Sequence, residues 1–323
     1  MGEMKVLNNR NQNYSDDADF YLEFEDHDDG DDSEVLYYGY ASCHDKANIE
    51  LYKDSKQIFW QMEQPCGLMD PGKTEFHVNI GENFDRIYST CPYTAEWLNK
   101  IKYTDGRYRV SIFPHNAKYA IKKEEEVERE FDAITWGNPH VQDVYDIIET
   151  ISKFKYNFYT LGLANLNAYK KYVTGMKMDR KVMWETLRKT KIMVTSNLLY
   201  VQPRHVAATK GIPQWELNEA FSHVDQGIMP QIKTRCIEAV FNKTLLLVKR
   251  DPWRVLEKWF VAGEDFLYYD DKNDLYEKIK EISNNWDDYK HIPESAYERA
   301  LNNYTTDHLM EAIKNDVTME MLK

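Results

Sequence analysis

The stretch Gly67-Leu-Met-Asp-Pro-Gly-Lys73-Thr74 has the spacing GxxxxGK[ST], a loop whose backbone N–H groups cradle nucleotide phosphates while the lysine and the hydroxyl reach the β/γ-phosphates and magnesium. That chemistry needs a strand running into the loop and a helix leaving it, so that the helix N-terminus faces the phosphates. Here Gln64-Pro65-Cys66 separates the loop from the apolar run Ile58–Met62, and Glu75–Gly81 downstream alternates with period two. ATP binding through Lys73 is therefore the remote reading. Asp26, Asp28, Gly30 and Asp32 have the look of a calcium loop, but the glutamate at loop position 12 and the flanking helices are missing. The acidic stretch Asp16–Glu34 reads instead as a surface loop. Cys43, Cys66, Cys91 and Cys236 lie far apart with no CxxC pair, which argues against both a disulfide scaffold and a structural zinc site.

Over 323 residues, 41 Lys and Arg stand against 54 Asp and Glu, a net charge of −13. So negative a balance excludes a general nucleic-acid binder, which requires a basic footprint to release phosphate counterions. It leaves room for a local basic pocket that takes a phosphorylated small molecule. Apolar runs of about 18 residues, the length a spanning helix requires, are absent. Met1–Asn13 is polar and does not read as a signal peptide. Together with the cysteine usage, this makes a reduced, cytoplasmic location the expectation. The sequons at Asn13, Asn242 and Asn303 then read as chance matches.

These residues must be positioned by an alternation of short apolar strands and amphipathic stretches, which signals an α/β protein with parallel sheets. In the first half, Lys5–Leu7, Glu34–Tyr40, Gln57–Met62, Asp85–Ser89 and Arg109–Phe113 read as strands, with a helix at Thr94–Ile101. The charged run Lys122–Glu130 reads as a solvated linker and sets the domain boundary at 125/126. The pattern then restarts. Phe131–Trp136 is a strand, Gly137-Asn138-Pro139-His140 a turn and Val141–Phe154 a helix, followed by strands at Tyr156–Thr160 and Ile192–Thr195. Lys233–Phe241 reads as a helix, Thr244–Val248 as a buried strand, Trp253–Phe260 as a helix after Pro252, and Phe266–Tyr269 as the last strand. Asp271–Ser283, Glu294–Leu301 and Asp307–Lys314 read as helices. Pro114-His115-Asn116 marks a hinge or surface segment. The tryptophans read as mostly core, with Trp215 a candidate sugar platform.

The segment Gln231–Asp270, reading QIKTRCIEAVFNKTLLLVKRDPWRVLEKWFVAGEDFLYYD, resembles the donor-binding half of GT-B glycosyltransferases of the group-1 and spore-maturation type. The shared pattern is R-x-x-E-A, an apolar strand, then a glycine and a strand ending in aspartate. The stretch ending at His308 is similar to that group as well, as is the order of elements over residues 131–313, including Gly137, Leu161-Gly162 and the run Lys191–Asn197. The resemblance implies two Rossmann-like domains facing a cleft: residues 1–125 on the acceptor side, 126–305 binding the nucleotide-sugar, and a C-terminal helix, 306–323, returning to the first domain. It implies a donor site of Arg235, Glu238, Lys233, Gly137 and Asn197, with Arg204 from the loop that also carries His205 and Lys210. The residue chemistry agrees. A carboxylate accepts two hydrogen bonds from a ribose diol and a guanidinium donates in a fork to phosphate, and Arg235 and Glu238, three apart, share one helix face. The bland alternative for the two is an ion pair on a solvated helix.

Phe59-Trp60-Gln-Met-Glu63-Gln-Pro65 resembles the W-x-x-E-S-P stretch of α1,3-fucosyltransferases, which are inverting enzymes. The resemblance makes Glu63 the general base that takes the proton of the acceptor hydroxyl as it attacks the anomeric carbon. Asp19, with Asp16 and Asp17, is the rival base. Many retaining relatives carry a two-glutamate E-x7-E pattern whose first position here is Pro230, which favours inversion. The expectation is thus a glycosyltransferase moving a sugar from a nucleotide-diphosphate sugar to a hydroxyl of a glycan or other acceptor. No metal or other cofactor is expected, basic groups and helix N–H donors carrying the diphosphate charge. Retention, or a non-catalytic nucleotide- or glycan-binding protein on the same fold, is the alternative.

Overall fold

In the computed structural model, residues 4–8, 31–39, 53–61, 84–100, 106–137, 141–160, 169–176, 180–200 and 228–319 are described. The chain forms two compact units: Met1–Asn116 with Leu198–Ile232 and Tyr304–Lys323, and Ala117–Asn197 with Lys233–Asn303.

The first unit is built on β1 (Met4–Asn8), β2 (Asp31–Gly39), β3 (Lys56–Gln61), β4 (Arg86–Ser89), helix α1 (Pro92–Asn99) and β5 (Tyr108–Val110). The strands pair in chain order and all run parallel. Val35, Leu36, Tyr37, Ile58, Ile87 and Tyr88 are buried completely or nearly so, as strands covered on both faces require. Trp60 is fully buried, donates through its indole N–H to Ser111 Oγ at 3.0 Å, and packs edge-on against Phe113 at 5.3 Å.

The second unit begins with β6 (Phe131–Trp136), α2 (Gln142–Ile151), β7 (Tyr156–Thr160), β8 (Gly175–Met176), α3 (Arg180–Arg188) and β9 (Thr190–Ser196). An antiparallel pair, β10 (Leu198–Tyr200) and β11 (Ile228–Pro230), belongs to the first unit. The chain then returns to the second unit with α4 (Thr234–Phe241), β12 (Leu245–Lys249), β13 (Leu267–Tyr269), α5 (Lys272–Asn284), α6 (Trp286–Tyr289) and α7 (His291–Asn303). The strands of this sheet are ordered β13-β12-β9-β6-β7-β8, every pair parallel. Numbered within the unit, this is the Rossmann order 3-2-1-4-5-6, in which the chain reverses direction between its first strand, β6, and its fourth, β9. Ala133, Phe158, Ile192, Val194, Leu245 and Leu247 form one buried face with Ile147, Ile148 and Ile151 of α2 and Leu275, Ile279 and Ile282 of α5. Helices α3, α4 and α7 contact β9 and β12.

The last helix, α8 (Thr306–Lys314), belongs to the first unit and completes its sheet layer. Tyr88 donates through its hydroxyl to the Ala312 carbonyl at 2.9 Å, and Arg86 Nε lies 2.6 Å from Asp316 Oδ1. Thr305 caps α8 in a reciprocal pair with His308, and a backbone bridge joins Thr305 to His115.

Three sequence expectations change. Lys122–Glu130 is not simply a solvated linker. Arg129 drives its guanidinium onto the carbonyls of Leu187, Arg188 and Thr190 at 3.0, 2.6 and 3.0 Å and of Lys243 at 2.5 Å, and burial lowers its pKa to about 10. It thereby serves the open C-terminal carbonyls of α3, where a cation also meets the negative end of the helix. Trp253–Phe260 is not an α-helix; a short 3₁₀ turn spans Val255–Lys258 behind Arg254 at φ 49°. His115 is not a surface residue but fully buried.

Candidate functional site

Open α/β sheets bind ligands outside the carboxyl ends of their strands, at the point where the strand order reverses. In the second unit that point is fixed by the ends of β6 and β9, that is, by Trp136-Gly137 and Ser196-Asn197. Four of the residues expected from the sequence meet there.

Asn197 is fully buried, and its Oδ1 accepts the backbone N–H of Lys233 at 3.2 Å and the thiol of Cys236 at 3.5 Å. Lys233 is the N-cap residue of α4 and gives the helix no side-chain cap of its own. Asn197 therefore fixes the start of α4 from the end of β9, taking an N–H that the helix cannot satisfy internally. In the first turn of α4, Arg235 donates from Nη1 to the Trp136 carbonyl, and its guanidinium lies over the Trp136 indole at 5.8 Å. Burial lowers its pKa from the free arginine value, with Cys236 and Glu238 opposing.

Gly137 makes this placement possible. Its φ of 130° lies where L side chains rarely go, and a Cβ there would stand 2.8 Å from Arg235 Nη2. Its N–H donates to the Tyr159 carbonyl at 3.0 Å, which holds the turn leaving β6. Glu238, on the same helix as Arg235, is 1% exposed, so the solvated ion-pair alternative does not describe it. Cys236 is buried and its thiol is pushed up to about 11 by desolvation, which keeps it protonated and excludes it as a nucleophile.

On the α2 side of the same strand ends lies a cluster that the sequence reading missed. Asp143, in the first turn of α2, receives the Ser196 hydroxyl on Oδ2 at 3.1 Å and the Lys249 ammonium on Oδ1. Lys249 closes an apolar strand, β12, and pairs in register with Ser196. A charged residue ending a buried parallel strand was the available signal. Its partner, 106 residues away, was not.

Glu63 and Asp19, the expected base and its rival, lie outside the described residues, as do Arg204, His205, Lys210, Asn138, Trp215 and the Gly67–Thr74 loop. Among the described residues, no group of three or more His, Cys, Asp or Glu could hold a metal ion. No helix among them is long and apolar enough to cross a membrane.

A sequence profile of the glycosyl transferase-like family matches residues 145–315, more than half of the chain, and takes in Ser196, Asn197, Lys233, Arg235, Glu238 and Lys249 of this site. The chain belongs to that family. No curated protein sequence matches it. Among solved structures, this glycosyltransferase is similar to sucrose-phosphate synthase from Thermosynechococcus elongatus, with TM-score 0.58 and 11% identity over 87% of this chain and 73% of that one. HepE from Anabaena, solved with UDP and glucose, gives TM-score 0.54 and 7% identity over 87% of this chain and 77% of that one. TarM gives TM-score 0.54 and 11% identity over 87% of this chain, which spans only 54% of TarM. At such identities the likeness establishes the fold, and the fold of the glycosyltransferase is GT-B with two Rossmann-like units.

Proposed function

We propose that this glycosyltransferase takes a sugar from a nucleotide-diphosphate donor bound at the carboxyl edge of its second unit and passes it to an acceptor hydroxyl. The observation that carries the reading is the seat of Arg235: a cation held by the Trp136 carbonyl and indole, beneath a glycine that admits no side chain, on a helix whose start is fixed by Asn197. A guanidinium in that position, beside the N–H groups that open α4, suits a leaving diphosphate. Lys233 adds a second cation at the helix start, and Glu238 is the carboxylate for the ribose diol. In this reading those groups carry the phosphate charge without a divalent metal. HepE and the pneumococcal O-GlcNAc transferase GtfA were solved with UDP, which makes UDP-sugars the first donors to try. On the acceptor side, the reading keeps Glu63 as general base, with inversion at the anomeric carbon.

The test is a titration of UDP-, GDP-, dTDP- and CMP-sugars in EDTA, with Arg235→Ala and Glu63→Gln beside the wild type. One sugar nucleotide is expected to bind without metal and to weaken about 10- to 100-fold in Arg235→Ala, the loss of a charge-assisted contact. Glu63→Gln is expected to keep binding and lose turnover. Binding of ATP alone, dependent on magnesium and Lys73, would overturn the proposal. A product that keeps the donor's anomeric configuration would remove Glu63 as the base of an inverting step.

A further inference from the structure

Two helix N-termini reach the carboxyl edge of the second sheet, α4 from one face and α2 from the other. The first brings Arg235. The second carries Asp143, which at 4% side-chain exposure places a negative charge where a helix favours one. In the Rossmann arrangement this second position, the start of the helix after the first strand, is where a pyrophosphate binds. Here it holds the chain's own carboxylate, and each oxygen of that carboxylate already has a partner: Ser196 Oγ on one and Lys249 Nζ on the other.

Lys249 differs from Asp143 in being reachable, with 26% of its side chain exposed. An ammonium has three N–H donors. Among the described residues Asp143 takes one, leaving two. Lys249 is anchored at both ends, by β12 at its backbone and by a buried carboxylate at its tip, so little side-chain entropy remains to be lost when a ligand is met. Ser196, its register partner on β9, fixes the other carboxylate oxygen and so the direction of the ammonium.

We propose that Lys249 is a further cationic contact to the diphosphate of the donor, on the opposite face of the sheet from Arg235, with Asp143 and Ser196 as its positioning residues. The inference rests on the donor reading above. An anionic oxygen meets the two N–H groups of Lys249 that Asp143 does not take, while Asp143 holds the ammonium in place.

The experiment measures the affinity of the full chain for the nucleoside diphosphate that binds best and for the corresponding unphosphorylated nucleoside, by calorimetry and ligand-observed NMR. Lys249→Met alone would leave Asp143 buried without its cation, so the informative variant is Lys249→Met with Asp143→Asn, which removes both charges together. That double variant is expected to stay folded, to bind the diphosphate about 10- to 100-fold more weakly and to hold the nucleoside within about threefold. Lys249→Arg is expected to recover most of the loss. Ser196→Ala is expected to weaken the diphosphate about threefold and leave the nucleoside alone. A merely structural pair would weaken both ligands together. An unchanged ratio of the two affinities in the folded double variant, with Arg235→Ala still impaired, would overturn this assignment and leave the donor reading standing. A wild-type chain that binds no nucleoside diphosphate would overturn both.

Discussion

Arg235 and Gly137 make one device from two residues 98 positions apart, and each is the reason for the other's identity. Gly137→Ala places a Cβ at φ 130° and 2.8 Å from the guanidinium, so it costs stability of about 1–3 kcal/mol and pushes Arg235 out of its seat. The expected outcome is a loss of nucleotide affinity close to that of Arg235→Ala. Combining the two substitutions relieves the collision, so the double variant should be more stable than the sum of the singles, read from chemical denaturation as a coupling energy. Additive stabilities would show that the glycine serves only its own backbone. Half of this device was legible in the sequence: the three-residue spacing of Arg235 and Glu238 marks one helix face, and Gly137 follows a strand. The rest of it, Trp136 against the guanidinium, depends on which elements become neighbours, as does the separate pair of Lys249 and Asp143, and no local pattern states that.

At the scale of elements, the strands that show in the sequence are those whose composition repeats their environment. Phe131–Trp136 and Tyr156–Thr160 are read to the residue, and the apolar Leu245–Val248 core of β12 could be nothing but a strand covered on both faces. β8 is two residues long, Gly175-Met176, and offers no pattern. The helix Arg180–Arg188 was missed because its charged face outweighs its apolar one, although Trp184 and Leu187 are buried. Pro252 suggested a helix start, yet Asp251 turns the chain first, accepting the N–H groups of Trp253 and Val255 at 3.0 and 3.1 Å. Arg129 shows how a segment that reads as a linker can join elements. Arg129→Met leaves the Leu187, Arg188, Thr190 and Lys243 carbonyls without its guanidinium and is expected to cost about 2–4 kcal/mol. A fall in the urea midpoint with an unchanged slope would confirm it. Lysine offers no planar fork, so Arg129→Lys should recover less than half. A midpoint within about 0.5 kcal/mol of wild type would return residues 122–130 to the role of a plain connector.

Across the whole molecule, the two units carry buried titrating groups of opposite effect. In the first, His115 is buried, its Nδ1 is 3.1 Å from the Asn116 carbonyl, and desolvation lowers its pKa to about 4. Unfolded histidine titrates near 6.5, so between these values the unfolded chain binds more protons and the stability of this unit falls as pH drops. In the second, Asp251 is 2% exposed and burial pushes its carboxyl up to about 6, against the backbone N–H groups of Val255 and Trp253. Here the native state binds more protons between about 6 and 3.8, so stability rises as pH drops through that window. At pH 5 the two effects are on the order of 1–2 kcal/mol each and of opposite sign. Global denaturation therefore shows little of either, whereas hydrogen exchange resolved by peptide separates them. Moving from pH 7.5 to 5, amides of β4 should lose protection and amides of β12 should gain it, after correction for intrinsic exchange. His115→Asn should abolish the change in the first unit, and Asp251→Asn, whose Oδ1 still accepts both N–H groups, the change in the second. If both sheets shift together in every variant, the units unfold as one cooperative body, and the opposing titrations cancel inside it.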